Sequence, residues 1–251
     1  MKKLVIFILL IMSWNSPLFA EDTIYVVNPE WPDFIQSDGT GIIMDILRAV
    51  YEKNGYTIDL KIAPYKRANE YVKKGKKDVL FGLYSMKKRK ELGMGVKTYT
   101  PYYPYTVEKT VAIFKKESVP NWKGQESLRG QRVVAIRGYG YNEAIPVPME
   151  YYEVSEHYQG WRMLKSGRIM FFLDDYVDVM FYIRDNKVDM TPNRIETVLI
   201  ANLYPAYTMN DRGKKLAAVF DKEMPGLIAD GVIAEFYKKR GYDAPILKPE
   251  D

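Results

Sequence analysis

The chain has 251 residues, with 37 Lys+Arg against 32 Asp+Glu, one His and no Cys, giving a formal charge of +5. The missing cysteines exclude thiolate nucleophiles, disulfide scaffolds, zinc ribbons, iron–sulfur clusters and a lipidated N-terminal Cys. A single histidine, His157, excludes multi-histidine metal sites, while 47% hydrophobic and 14% aromatic residues exclude a disordered chain.

Residues 1–20 have the layout of a secretory signal peptide. Lys2 and Lys3 form a basic start, Leu4 to Met12 is an unbroken apolar run, and Leu18-Phe19-Ala20 precedes the acidic pair Glu21-Asp22. The apolar run is too short to span a bilayer, which takes about 20 residues. Loss of Lys2 and Lys3 lowers the positive charge by two, and an exported chain meets little nucleic acid. The sequence therefore predicts a periplasmic protein, soluble and without a nucleic-acid partner.

Beyond that leader, strand and helix patterns alternate. Thr23–Asn28 reads as a β-branched strand, and Ile42, Ile43, Ile46, Leu47 and Val50 fall at helical spacing after Gly41, ending at Asn54-Gly55. Ile58, Leu60 and Ile62 alternate as in a strand. A helix is expected from Tyr65 to Lys74, a buried strand at Asp78–Gly82, and a short basic helix from Met86 to Leu92. After the Tyr/Pro-rich stretch Tyr99–Tyr105, strands are expected at Thr110–Phe114 and Arg132–Ile136. A helix follows Tyr141, a short segment lies near Tyr152, and another helix ends at Lys165-Ser166-Gly167. A strand at Ile169–Leu173 and a helix at Asp175–Arg184 come next. The last third holds a strand at Thr197–Leu203, a long helix through Leu216, Val219, Phe220, Leu227 and Ile228 that Pro225 should kink or split, and a short helix Val232–Lys239. Such alternation predicts an α/β fold with largely parallel sheets in two compact lobes.

Single motifs say less. Gly138-Tyr139-Gly140-Tyr141-Asn142-Glu143 follows a strand and opens a helix, a setting in which backbone N–H groups can cradle an anion, yet Glu143 breaks the dinucleotide fingerprint. The basic runs Lys73-Lys74-Gly75-Lys76-Lys77 and Lys87-Lys88-Arg89-Lys90 read as solvated helix faces. Asp174-Asp175 stand where a strand gives way to a helix, so one of them suits an N-cap. His157 is read as a surface or interlobe residue without chemistry. The aromatics Trp31, Tyr65, Tyr84 and Tyr141 each sit at an element end, which suggests a ligand platform.

In order along the chain, Trp31-Pro32-Asp33-Phe34, Gly41-Ile42-Ile43-Met44-Asp45, Pro64-Tyr65-Lys66-Arg67-Ala68, Gly75-Lys76-Lys77-Asp78, Ser85-Met86-Lys87-Lys88-Arg89 and Thr100-Pro101-Tyr102 resemble the first lobe of the periplasmic solute-binding proteins of polar-amino-acid ABC importers (family 3). Leu128-Arg129-Gly130, Arg132 to Gly140 and Gly167-Arg168 through Asp174-Asp175 resemble the second lobe, and Leu216 to Tyr242 the closing helices. The resemblance implies a type II, two-lobed periplasmic binding fold, each lobe a mostly parallel sheet flanked by helices and the two joined by two crossover strands. Lobe 1 would comprise residues 22–108 and 206–251, and lobe 2 residues 109–205.

It also implies a monomeric receptor, neither enzyme nor cofactor-dependent, that holds a small-molecule ligand between the lobes. Its partner would be the membrane permease of an ABC importer, or a membrane sensor. Position by position, Arg89 would clamp the ligand α-carboxylate with its planar fork, backbone donors around Gly140 and Tyr141 would assist, and Asp175, or else Asp174, would take the α-ammonium. Trp31 and Tyr65 would sandwich the side chain, with Tyr84 and Ser85 nearby. Met86 stands where the family has Thr, Tyr141 where it has a small hydroxyl residue, and Met170 where it has an acid, which suits a bulkier or more aromatic-friendly ligand.

Overall fold

The computed structural model describes residues 22–250; the signal peptide expected over residues 1–20 lies outside the described residues. Nine strands and eight helices follow in chain order: β1 Asp22–Asn28, α1 Ile42–Tyr51, β2 Tyr56–Ile62, α2 Tyr65–Lys73, β3 Val79–Leu83, α3 Met86–Glu91, β4 Thr98–Tyr99, β5 Thr106–Lys115, β6 Arg132–Ile136, α4 Tyr141–Ala144, β7 Glu150–Val154, α5 His157–Lys165, β8 Phe171–Asp175, α6 Tyr176–Asn186, β9 Asn193–Thr208, α7 Asp211–Ala229 and α8 Val232–Lys238. Among these described residues no helix is long and apolar enough to cross a membrane.

The strands hydrogen-bond in the order β2-β1-β3-β9-β5-β8-β6-β7, with β4 on the flank of β9. The outer pairs are parallel, as βαβ alternation requires, whereas β5 and β9 run antiparallel to each other and to their neighbours. β9 is longer than the expected Thr197–Leu203. It pairs with β5 from Asn193 to Leu203, then with β3 from Tyr204 to Tyr207. One continuous strand thus carries the chain from one half of the fold to the other, and β5 takes it in the reverse direction. The residues added at the start of β9, Asn193–Glu196, are mostly polar, so the apolar pattern alone understated the strand's length there.

Each half has its own core. Ile42, Ile43, Ile46, Leu47 and Val50 of α1 bury their apolar stripe against Leu216, Phe220 and Met224 of α7 and Ile233 of α8. Ala112, Phe114, Val133, Phe171 and Leu173 fill the second half on one sheet face; Val111, Val134, Trp161 and Phe172 do so on the other. Such burial contributes about 1.5–3 kcal/mol per large side chain, more than one missing backbone bond. That explains why α7 continues unsplit through Pro225: Phe220 and Met224, in the turn just before the lost N–H, are fully buried.

Two local devices aim residues at the junction of the halves. Asn28 at the end of β1 accepts a hydrogen bond from the Phe81 N–H through Oδ1 at 2.7 Å, and the β3 ladder slips its register between Phe81 and Leu83. Gly82, at φ 107°, sits in that slip, where the Tyr65 hydroxyl donates to its carbonyl at 2.6 Å and the ring lies against it. The loop Trp31–Ile35 is seated on the start of α1, with Asp33 and Phe34 carbonyls accepting from the N–H groups of Ile42 and Ile43 at 2.9 and 3.0 Å. Those donors are among the four that a helix start leaves without an intrahelical partner.

Candidate functional site

A cleft of about 940 Å³ opens between the two halves. Seven of the eight sequence-expected residues line it: Trp31, Tyr65, Tyr84 and Arg89 from the first half, and Gly140, Tyr141 and Asp175 from the second. Ser85 does not. Its hydroxyl caps α3 by accepting from the Lys88 N–H at 3.0 Å and donates to Glu250 at 2.6 Å on the far side. A hydroxyl at a helix N-cap is already engaged by the helix, which is why the sequence position alone misleads.

Arg89 is the inward-turned member of its basic run, only 3% exposed. Its Nε donates to the Tyr84 carbonyl at 3.1 Å, Nη1 to Thr98 Oγ1 at 3.0 Å, and Nη2 to the Thr98 carbonyl at 3.1 Å. A guanidinium carries five N–H groups, so one on each terminal nitrogen is left over, in the fork geometry that matches a carboxylate. No protein carboxylate forms an ion pair with it among the described residues, and burial pulls its pKa down from the ordinary value. A buried, unpaired cation of this kind is stabilised by an anion arriving from the cleft.

The aromatic wall is stacked rather than scattered. Trp31 lies parallel to Phe34 with ring centroids 4.3 Å apart, while Tyr65 meets Tyr139 edge-on at 5.7 Å and Tyr139 meets Tyr141 at 5.8 Å. Tyr84 and Asn69 add polar atoms without partners: the Tyr84 hydroxyl and Asn69 Oδ1 are both buried and unbonded. The expected anion cradle at Gly140 takes a modest form. Gly140 is left-handed at φ 72°, but α4 is a single turn, too short for the summed peptide dipoles of a longer helix, so any help it gives comes from individual N–H groups. Tyr141 turns its hydroxyl to Glu108 Oε1 at 2.6 Å.

On the second half the site is acidic. The antiparallel register Thr110↔Asp175 and Val111↔Asp174 brings the end of β8 beside Glu108 on β5, and Asp178 follows on the first turn of α6. Asp175 caps α6 by accepting from the Val177 N–H at 2.8 Å. Asp174 does not line the cleft; its Oδ1 accepts from the Asp175 N–H and its Oδ2 pairs with His157 Nδ1 at 2.6 Å. Burial, then the negative charge of Asp174, pushes the Glu108 carboxyl up to about 7, against the Tyr141 hydrogen bond. Asp178 is likewise pushed up to about 7 by burial and by Asp174, with His157 opposing. Asp175 is raised well above the carboxylate range by burial, Asp178 and Glu108. For His157 burial favours the neutral ring, but the bond to Asp174 and that carboxylate's charge outweigh it and lift the imidazole to about 9.

Glu108 and Asp178 escaped the sequence reading, whereas Tyr139 entered it only as part of the Gly138–Glu143 turn and His157 as a surface or interlobe residue; both line the cleft. Glu108 sits near the start of β5 between Val107 and Lys109, and His157 opens a helix behind a Glu156–Gln159 capping box. Neither pattern signals a cleft. Among the described residues no group of three or more His, Asp or Glu is arranged to hold a metal ion.

These shifts give the empty protein a defined pH dependence. The folded state holds protons on Glu108 and Asp178 up to about pH 7 that the unfolded chain releases near its ordinary carboxylate values, so stability falls as pH rises through that window. The raised His157 contributes stability that is complete below about pH 6.5 and lost as pH rises through about 9. Both act in the same direction. The melting temperature is expected to fall by about 5 °C or more from pH 5 to pH 9, and Glu108→Gln should flatten the acid half of that slope. A melting temperature that rises over this range would contradict the burial of these groups.

No family model matches the chain, and no curated protein matches it. Solved structures do. The chain is similar to an ABC uptake transporter substrate-binding protein from Streptococcus pneumoniae with bound histidine, at 20% identity and TM-score 0.67 over 89% of this chain and 94% of that one. It is similar to the GluR0 ligand-binding core in complex with L-glutamate at 18% identity and TM-score 0.68, covering 86% of this chain and 97% of that one. It is also similar to a histidine kinase sensor domain with similarity to periplasmic binding proteins, at 21% identity and TM-score 0.68, covering 90% and 99%. The fold is therefore the two-lobed, type II periplasmic-binding-protein fold.

Proposed function

We propose that the chain is a periplasmic receptor that captures a small solute with an amino-acid head group between its lobes and presents it to the permease of an ABC importer. The observation that carries this reading is the opposition of Arg89, with two free N–H groups on one wall, to Asp175 on the other, across a cleft walled by Trp31, Tyr65, Tyr84 and Tyr141. A zwitterion presents a carboxylate and an ammonium in that arrangement. Lobe 1 would hold residues 22–108 and 206–251 and lobe 2 residues 109–205, closing by hinge motion on the ligand.

His157 argues for binding rather than catalysis. Held protonated by Asp174, it is a fixed cation at neutral pH instead of a general base. We read the chain as a monomer that works without a cofactor. A second reading has equal structural support: a sensor domain of a histidine kinase shares the fold to the same degree as the importer protein does, so the receptor would report its ligand to a membrane sensor. Permease and ATPase genes alongside its own would mark import; a sensor gene would mark signalling.

Ligand capture is tested by thermal melting against a panel of amino acids. A solute at about 100 times its Kd stabilises the folded state by about 2.7 kcal/mol, which raises the melting temperature by roughly 5–10 °C. Asp175→Asn should reduce the shift for every solute that carries an ammonium. If no amino acid moves the melting temperature, the proposal fails.

A further inference from the structure

The charge inventory of the cleft does not close on an ordinary zwitterion. Of the acidic side chains that line it, Glu30, Glu70, Glu143 and Asp185 are exposed on its rim, which leaves Glu108, Asp175 and Asp178 as its inner carboxylates. Asp174, behind them, is already paired with His157. Of the lysines on the rim, Lys73 and Lys74 pair with Glu70, and neither Lys66 nor Lys97 forms an ion pair with any of the three. A ligand α-carboxylate would neutralise Arg89, and an α-ammonium would answer one of the three acids. Two acids would stay without a counter-charge in a site that closure is about to dry, an arrangement that costs several kcal/mol unless they are protonated or a further cation arrives. The surroundings suit such a cation: Tyr65, Tyr139 and Tyr141 present ring faces and edges beside the acids, and the buried Tyr84 hydroxyl has no partner.

Resting on the amino-acid reading above, we propose that the cleft selects a solute with a cationic side chain, a guanidino or ω-amino acid, and that its capture drives protons off the Glu108–Asp175–Asp178 cluster. The groups that set this exchange come from every element around it: Tyr141 of α4 donates to Glu108, Asp174 of β8 and His157 of α5 face Asp178, and Arg89 of α3 and Tyr65 of α2 lie across the cleft. In the empty cleft Glu108 and Asp178 are half-protonated near neutrality, each being pushed up to about 7 chiefly by burial. A bound cation favours their charged forms, so protons leave as it enters.

The test is isothermal titration of the whole protein with arginine, with citrulline, which replaces the guanidinium by a neutral urea of the same shape, and with agmatine, which keeps the guanidinium and lacks the carboxylate. Arginine should bind at least about 10-fold more tightly than citrulline. Its apparent enthalpy at pH 7 should change between buffers of different ionisation enthalpy, reporting release of about one proton. Asp178→Asn and Glu108→Gln, both close in shape to the parent, should each lower the arginine affinity more than the citrulline affinity. Citrulline bound as tightly as arginine, or arginine bound without proton release, overturns the inference and leaves the amino-acid reading intact. Agmatine bound as tightly as arginine supports the cation site and overturns the Arg89 clamp. Silence from arginine and citrulline alike overturns both.

Discussion

Arg89→Ala is expected to lower the affinity for the best amino-acid ligand by about 100-fold or more. The side chain is buried, and its two uncommitted N–H groups are the only ones in the guanidinium that protein carbonyls and hydroxyls do not occupy. Removing one member of a desolvated, hydrogen-bonded charge pair typically costs about 2–5 kcal/mol of binding, most of it the penalty of leaving the other charge dry and unpaired. The same substitution strands the Tyr84 and Thr98 carbonyls, so the empty protein should also lose about 1–3 kcal/mol. Arg89→Lys separates the two effects, since it keeps the charge and fills most of the space but cannot offer a planar fork. It should still bind at least about 10-fold more weakly than the parent, with a smaller loss in melting temperature than the alanine variant shows. Titration calorimetry paired with melting curves measures both. Unchanged affinity in Arg89→Ala would show that the carboxylate lies elsewhere.

The second large effect falls on the fold. Gly41→Ala should destabilise the protein by about 3 kcal/mol, a fall of roughly 6–12 °C in melting temperature. Gly41 sits at φ 129°, and a Cβ built there would lie 2.2 Å from the Phe34 carbonyl oxygen. That oxygen accepts the hydrogen bond from Ile43 N–H at 3.0 Å, so it cannot retreat without unseating the loop from α1. Trp31 rides on this loop, stacked on Phe34. The variant should therefore alter tryptophan fluorescence and weaken ligand capture as well as stability. A melting temperature within a degree or two of the parent would mean that the Trp31–Ile35 loop shifts at little cost, and that its seating on α1 does not position the aromatic wall.

Much of this architecture follows from spacing along the chain. The apolar period of Ile42 to Val50, the alternation in Ile58–Ile62 and the breaker-bounded run at Val79–Phe81 each appear where local patterning places them, because burying one face of a helix or strand imposes that period. The aromatic element ends Trp31, Tyr65, Tyr84 and Tyr141, together with Arg89, Gly140 and Asp175 named through the resemblance, are the seven expected residues that line one cleft. Pattern failed where the environment, not the period, decides. The polar stretch from Asn193 to Glu196 is strand because β5 supplies partners for it, and Pro225 is tolerated because the core around Phe220 and Met224 holds α7 together.

The sequence by itself determined that this is an α/β chain of two halves with aromatic element ends, since each of those is a local property of residue type and spacing; which member of the basic run turns inward came only from the resemblance. Only the tertiary structure decided the charge of the cleft. Glu108 and Asp178 are 70 residues apart in the chain, and they share a site because β5 and β8 pair in one antiparallel register that carries the start of α6 alongside Glu108. Burial then turns ordinary carboxylates into groups that titrate near neutrality, a change that depends on the dielectric around them and on no feature of the letters that encode them.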